Sequence, residues 1–138
     1  MERKFLIFFM HGQRYAFDLS DVAEVMDITK SWPIPFAPDC YSGAINFHGA
    51  IVAVMNLAAF MGSDACGELE KIIVLNEKSA ALGFLVERVA RIVSEQEIEI
   101  SDPSDDRFAS ALLRLPEGSA TLLDIETIIR ESEILINN

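Results

Sequence analysis

The chain offers few side chains that could perform catalysis. Its two histidines, His11 and His48, are the candidate general bases, and serine hydroxyls and cysteine thiols are the candidate nucleophiles. The sequence contains no G-x-S-x-G, no H-E-x-x-H and no glycine-rich phosphate loop before a helix, the spacings that place such groups around a substrate. Neither Cys40 nor Cys66 has a recognisable catalytic context. We therefore expect a protein that is not an enzyme.

Acidic residues are concentrated between residues 95 and 106, and they are the candidates for a cation site. They are Glu95, Glu97, Glu99, Asp102, Asp105 and Asp106. A calcium loop needs closely ordered oxygen ligands around a glycine turn. Glutamates at every second position instead indicate the solvated face of a strand. The sequence thus predicts no metal, and it indicates no cofactor.

The charge of the chain restricts its partners. The sequence carries 11 basic and 22 acidic residues, for a net charge of −11. This charge repels phosphate backbones, so nucleic acid and anionic membranes are not expected partners. The apolar start of the chain is interrupted at Gly12-Gln13-Arg14 and no small-residue cleavage site follows closely, so we predict no signal peptide. Two cysteines without metal-type neighbours favour a reduced, cytoplasmic protein.

The length of 138 residues is sufficient for one domain with its own core. We expect that domain to span residues 1–138. The hydrophobic fraction is 51% and the mean hydropathy is +0.27, which are high values for a free-standing domain. Some apolar surface is therefore expected to remain exposed for a partner.

Residues 41–63 contain no Asp, Glu, Lys or Arg, and they are long enough to cross a bilayer. His48-Gly49, however, interrupts the apolar run. Apolar residues alternate at period two on both sides of that dipeptide, as pleated strands require. The pattern predicts two strands joined by a hairpin turn, in which Gly49 permits positive φ and Asn46 bonds to nearby backbone. We predict no membrane insertion.

The other elements are mostly short strands. Branched and aromatic residues predict strands at 4–10, 14–19 and 71–76, and one long or bent strand over 80–93. A short helix is predicted over 20–26, and a strand leading into a second helix capped by Asp124 is predicted at the end. Three prolines make 31–39 an extended connector, whose aromatics Trp32 and Phe36 either cover a barrel end or meet a partner. Together these elements predict a mostly β chain that folds as a small barrel or a sandwich.

Several of these segments, taken in order, resemble the CheW family of bacterial chemotaxis coupling proteins. "IPFAPDCYSGAINFHGAIVAVMNL", residues 34–57, is similar to the family pattern I-P-x-x-P, glycine, I-N-L-R-G, V-x-P-V-x-D-L. "FLIFFMHGQRYAFDLSDVAEV" resembles the upstream pattern, "IIVLNEKSAALGFLVERVARIVSEQEIEI" the downstream one, and "TLLDIETII" the closing L-x-D-x-x-x-L.

The resemblance implies a fold and a function. The implied fold is two small five-stranded SH3-like β-barrels packed together, with two short helices. The implied function is that of a non-catalytic cytoplasmic adaptor, which couples the cytoplasmic tip of a chemoreceptor to the regulatory domain of a CheA-type histidine kinase. The alternative is a small β-barrel that binds a hydrophobic ligand.

The resemblance also implies a set of partner-binding positions. They are Val22, Glu24, Val25, Gly43, Asn46, His48, Gly49, Asn56 and Gly83. Each has a structural interpretation as well, because valines at helical spacing also face a core and glycines simply permit turns. The chain departs from the family pattern at His48 and Ala58, where the family has Arg, and at Asn56, where it has Asp. These departures favour a diverged member that serves one of several parallel pathways.

Overall fold

The computed structural model describes residues 2–63, 67–103 and 105–137, which form two β-sheets and two helices. Cys66 lies outside the described residues. The strands are β1 (Lys4–Met10), β2 (Gln13–Asp18), β3 (Val22–Asp27), β4 (Tyr41–Phe47), β5 (Ala50–Asn56), β6 (Lys71–Leu75), β7 (Leu82–Val86), β8 (Arg88–Ser94), β9 (Glu99–Ser101), β10 (Ala109–Leu115) and β11 (Gly118–Leu123). The helices are α1 (Leu57–Phe60) and α2 (Ile125–Ile136).

The two sheets divide the chain unequally. The five-stranded sheet has the order β3-β6-β7-β5-β4 and comes from one continuous stretch of sequence. The six-stranded sheet, ordered β8-β1-β2-β11-β10-β9, combines the first two strands with the last four. Neighbours are antiparallel except for β5 with β7 and β11 with β2. The N-terminal hairpin therefore needs the C-terminal third of the chain to complete its sheet.

Strands between two apolar layers explain the continuous hydrophobic runs of the sequence. Leu6, Phe8 and Met10 of β1 enter a core shared by both sheets, whereas Phe5 and Ile7 enter the interior of the six-stranded sheet. On β6, Ile73 and Leu75 face the shared core, and alternate residues face the interior of the five-stranded sheet. Because successive side chains point to opposite faces, a strand buried on both sides has no polar positions.

Each sheet encloses its own apolar side chains. The five-stranded sheet surrounds Ile45, Val52, Val54, Ile72 and Val74, and all five are buried. A similar cluster from five strands fills the six-stranded sheet. The prediction of a mostly β chain with two small barrels is confirmed, with one sheet of six strands rather than five. Since the interiors are occupied by side chains, the structure does not favour the alternative of a hydrophobic ligand inside a barrel.

The prediction of a helix over 20–26 is wrong. A single 3₁₀ turn, Leu19–Asp21, follows Asp18, whose side chain accepts from the Ser20 N–H, and β3 begins at Val22. The apolar residues of this segment fit a helical spacing, but their β-branched side chains also suit a strand. Pairing with β6 decides between them, and a bulge between Val22 and Glu24 shifts the register. The short helix of the fold is α1 instead.

Two other segments differ from the predictions. The strand predicted over 80–93 is divided at Glu87, because its first half pairs within the five-stranded sheet and its second half pairs with β1. Strand β10 was not predicted. Glu95 and Glu97 lie in a 3₁₀ turn, not on a strand face, and Ser94 and Glu97 form a capping box at its start. Glu99 does begin a strand.

The C-terminal helix begins as predicted. The Asp124 carboxylate accepts from the Thr127 N–H and hydroxyl, and this caps α2. Ile125 and Ile128 are buried in the shared core, and burial continues to Ser132, which is 4% exposed. The last turn of α2 is exposed, including Leu135 at 40%.

A bidentate ion pair ties β8 to the turn between β10 and β11. Arg91 Nε and Nη2 donate to the two Glu117 carboxylate oxygens at 3.0 and 2.9 Å. These hydrogen bonds lower the pKa of Glu117 from 4.5 to about 2. A pKa that is lower in the folded chain means that stabilisation is present above pH 4.5 and is lost as the pH falls toward 2.

Substitution of Glu117 tests this pair. We expect Glu117→Gln to lower the melting temperature slightly at pH 6, and to have a much smaller effect near pH 2, where wild-type Glu117 reaches its folded-state pKa and has lost part of its charge. Thermal denaturation followed by circular dichroism across this pH range measures the difference. Glu99→Gln, on the edge strand β9, is the matched control. A difference between Glu117→Gln and wild type that stays constant with pH would contradict the ion pair.

Candidate partner-binding site

Two predicted site residues from separate strands meet at one end of the five-stranded sheet. His48 Nε2 lies 3.3 Å from Glu24 Oε1, although 24 residues separate them in sequence. Glu24 is on the edge strand β3, and His48 is at the tip of the hairpin that ends the opposite edge. Both side chains are solvent-accessible, with exposed fractions of 72% for His48 and 45% for Glu24. The contact therefore links the two edges of the curled sheet.

The backbone of the hairpin fixes the position of His48. His48 has φ of 50° and Gly49 has φ of 88°, the pair of positive values that a type I′ turn requires. The Gly49 N–H donates to the Asn46 side-chain oxygen at 2.9 Å, as the sequence predicts. The Phe47 and His48 rings meet edge to face, with centroids 4.5 Å apart. The imidazole is thus held by its own turn as well as by Glu24.

An apolar groove of about 330 Å³ adjoins the His48 ring. It lies between the hairpin tip, β3 and the turn from β6 to β7, and its walls include Ala23, Phe47, Ala80 and Ala81. We call the combination of Glu24, His48 and this groove the Glu24–His48 surface. Polar and apolar groups side by side are typical of protein interfaces. No local sequence pattern indicates the groove, because three distant segments form it.

The two valines of the predicted patch face inward. Val22 and Val25 are half-buried against the shared core, and Glu24 between them points to solvent. The structure thus brings Glu24 of this patch next to the hairpin tip.

The other predicted positions lie apart from this surface. Gly43, with φ of 148°, lies on β4 where the Trp32 carbonyl approaches, and Trp32 bridges to Ala44 through two hydrogen bonds of 2.9 and 2.8 Å. Asn56 caps α1 by accepting from the Ala59 N–H. Gly83 is buried on β7, where a Cβ would lie 3.2 Å from a methyl group of Ile72.

The residues that departed from the family pattern differ in environment. Asn56 keeps a capping role that an aspartate would also perform. Ala58 is buried in the shared core, with 5% of its surface exposed. His48 is therefore the departure that stands fully in solvent.

The candidate catalytic and metal groups remain dispersed in the described part of the chain. His11 Nε2 lies 3.3 Å from the Tyr15 hydroxyl, and His48 contacts Glu24. Burial raises the pKa of the Cys40 thiol, which disfavours the reactive thiolate. Among residues 2–63, 67–103 and 105–137, no cluster of His, Cys, Asp and Glu has the arrangement of a metal site. Within these same ranges, no helix has the length and hydropathy needed to span a bilayer.

Comparison with known proteins identifies the family. The model of the CheW-like domain matches residues 4–133. The chain belongs to the CheW family. Over 135 aligned residues it is 30% identical to the chemotaxis protein CheW of Thermotoga maritima, and the alignment covers 94% of this chain and 89% of that protein. It is 26% identical to the probable chemotaxis protein CheW of Rhizobium etli, over 96% of this chain and 90% of that protein.

A solved structure supports the fold of the CheW family. The scaffolding protein TtCheW from Thermoanaerobacter tengcongensis superposes with a TM-score of 0.77 at 23% sequence identity, covering 93% of this chain and 92% of that one. This similarity confirms the two SH3-like subdomains that the family resemblance implies. The relatives are chemotaxis and scaffolding proteins by name, which agrees with a coupling role for the family.

Proposed function

We infer that this chain is a cytoplasmic, non-catalytic adaptor that links a chemoreceptor tip to the regulatory domain of a CheA-type histidine kinase. The observation that carries this proposal is the family match over residues 4–133, nearly the whole chain. The adaptor acts as one domain over residues 1–138, since a shared core of side chains joins its two sheets.

The Glu24–His48 surface is the proposed partner-binding site. It combines an accessible carboxylate, an imidazole and an apolar groove on a turn that the backbone holds in place. Asn46 and Gly49 set the shape of that turn. Gly43, Asn56 and Gly83 support binding indirectly, by packing and capping. Val22 and Val25 anchor the strand that presents Glu24.

A reconstituted kinase assay tests the adaptor proposal. Adding the purified protein to its cognate receptor and CheA-type kinase is expected to change the rate of kinase autophosphorylation, while this chain itself turns over no ATP. Glu24→Arg is expected to weaken the effect, because it reverses the accessible charge next to His48. Glu133→Arg on α2 makes the same charge change elsewhere and serves as the control. Kinase output that is unaffected by saturating wild-type protein would overturn the proposal.

A further inference from the structure

Two arginines flank one phenylalanine on the six-stranded sheet, and a third lies further along one of the same strands. Phe9 on β1 is the register partner of Arg14 on β2 and of Arg88 on β8, so the three residues form one row across three strands. Side chains directly opposite each other lie on the same face of a sheet. The guanidinium carbons of Arg88 and Arg14 lie 3.9 and 5.4 Å from the centre of the Phe9 ring. Arg91, also on β8, lies further along the same strand and holds Glu117.

The charges in this arginine cluster are not balanced. Arg91 forms an ion pair with Glu117 and is also attracted electrostatically to Glu97. Arg14 is attracted electrostatically to Glu117 without forming an ion pair with it. Within the described ranges, no carboxylate forms an ion pair with Arg14 or Arg88. Two cations thus flank one ring without an ion pair of their own, in a chain whose net charge is −11. Like charges on the same face of a sheet repel each other.

A glycine beside Arg14 leaves space for its guanidinium. Gly118 has φ of 139°, and a Cβ there would lie 2.8 Å from Arg14 Nη1. A side chain at this position would therefore displace the guanidinium. Arg88 and Arg91 are exposed, while Phe9 is half-buried beneath them. Aromatic stacking holds the guanidiniums in place and leaves their N–H groups available.

We propose that the arginine cluster (Arg14 and Arg88 flanking Phe9, with Arg91 further along β8) is a docking surface for an acidic segment of a partner protein. Carboxylates match the planar donors of arginine, and each such hydrogen bond is charge-assisted. A short acidic segment fits better than a polyanion, because the overall charge of −11 repels nucleic acid and anionic membranes at long range. The cluster lies at a different sheet from the Glu24–His48 surface, so it would serve a second contact.

A peptide titration tests this docking surface. Hexaglutamate added to ¹⁵N-labelled full-length protein is expected to shift the amide resonances of residues 9, 14, 88 and 91, and hexaglutamine is expected to shift none. The double variant Arg14→Gln/Arg88→Gln should weaken binding at least about tenfold, the scale of one lost charge-assisted hydrogen bond. Lys30→Gln/Lys78→Gln removes two positive charges elsewhere and should retain binding within about twofold of wild type, allowing for long-range electrostatics.

The same titration has outcomes that would overturn the proposal. Equal weakening in both double variants would show only a general charge effect. Shifts scattered over the surface, or tighter arginine-dependent binding of duplex DNA or of phosphatidylserine vesicles than of hexaglutamate, would reject an acidic protein segment as the occupant. Circular dichroism of each variant establishes that it is folded. Since neither kinase nor receptor is present, the result is separate from that of the kinase assay.

Discussion

Replacing Gly43 by valine is expected to lower the free energy of unfolding by about 3 to 5 kcal/mol, the range of severe backbone and steric strain. Two effects combine there. Gly43 has φ of 148°, which L side chains rarely adopt, and a Cβ would lie 2.7 Å from the backbone carbonyl oxygen of Trp32. That carbonyl accepts from the Ala44 N–H and cannot move without breaking the bridge. Urea denaturation of wild type and Gly43→Val measures the difference.

Gly49→Val provides the comparison for this prediction. Gly49 has φ of 88°, but a Cβ there would meet nothing within 4 Å, so only backbone strain applies. We expect a smaller loss, of about 1 to 3 kcal/mol. Trp32 is the single tryptophan, so its fluorescence reports directly on the connector beside Gly43. Its emission should change in folded Gly43→Val and not in Gly49→Val. Equal stability losses in the two variants would show that the close approach of Trp32 is unimportant.

The second large effect is expected at His48. Arginine is charged at every physiological pH, whereas histidine side chains gain and lose their charge between about pH 5 and 8. If the partner presents a carboxylate to the Glu24–His48 surface, His48→Arg should tighten binding by about 1 to 2 kcal/mol. Calorimetric titration with the regulatory domain of the cognate kinase, and separately with the receptor tip, measures the change.

The neighbouring carboxylate makes a double-mutant cycle necessary. Glu24 lies 3.3 Å from His48 and competes with any partner carboxylate for contact with the imidazole. An exposed pair of this kind contributes at most about 1 kcal/mol to the stability of the free protein. If His48→Arg increases affinity by the same amount when Glu24→Gln is also present, the increase arises from a contact with the partner and not from Glu24. A partner adapted to histidine would bind the arginine variant less tightly. An affinity that is indifferent to His48→Arg, with or without Glu24→Gln, would make His48 an ordinary turn residue.

The local sequence determined those elements whose hydrophobic pattern and nearby turn or capping residues indicate the same structure. The hairpin at His48-Gly49 follows from alternating apolar residues on either side of a dipeptide that accepts positive φ, with Asn46 close enough to bond to the turn. The start of α2 follows from Asp124, because a capping side chain needs only the N–H three residues ahead. The family resemblance then supplied the two-barrel fold, which composition alone left open between barrel and sandwich.

Tertiary structure decided those elements that depend on pairing between strands distant in sequence. Residues 22–26 carry apolar side chains at a spacing that suits a helix as well as a strand, and only the ladder with β6 makes them a strand. Branched and apolar residues that suit a strand occur on both sides of Glu87, so the sequence does not show that the chain leaves one sheet for the other there. Strand β10 depends on partners on both sides, β9 and β11.

The two proposed contact surfaces were also decided by tertiary structure. Glu24 meets His48 because the five-stranded sheet curls until its two edges approach, and no local pattern encodes that distance. Arg14 and Arg88 are 74 positions apart in sequence, yet both are register partners of Phe9. Side-chain type is fixed by the sequence at each position. Which side chains share a face is fixed by strand order and register, and these depend on the burial of both sheets around a common core.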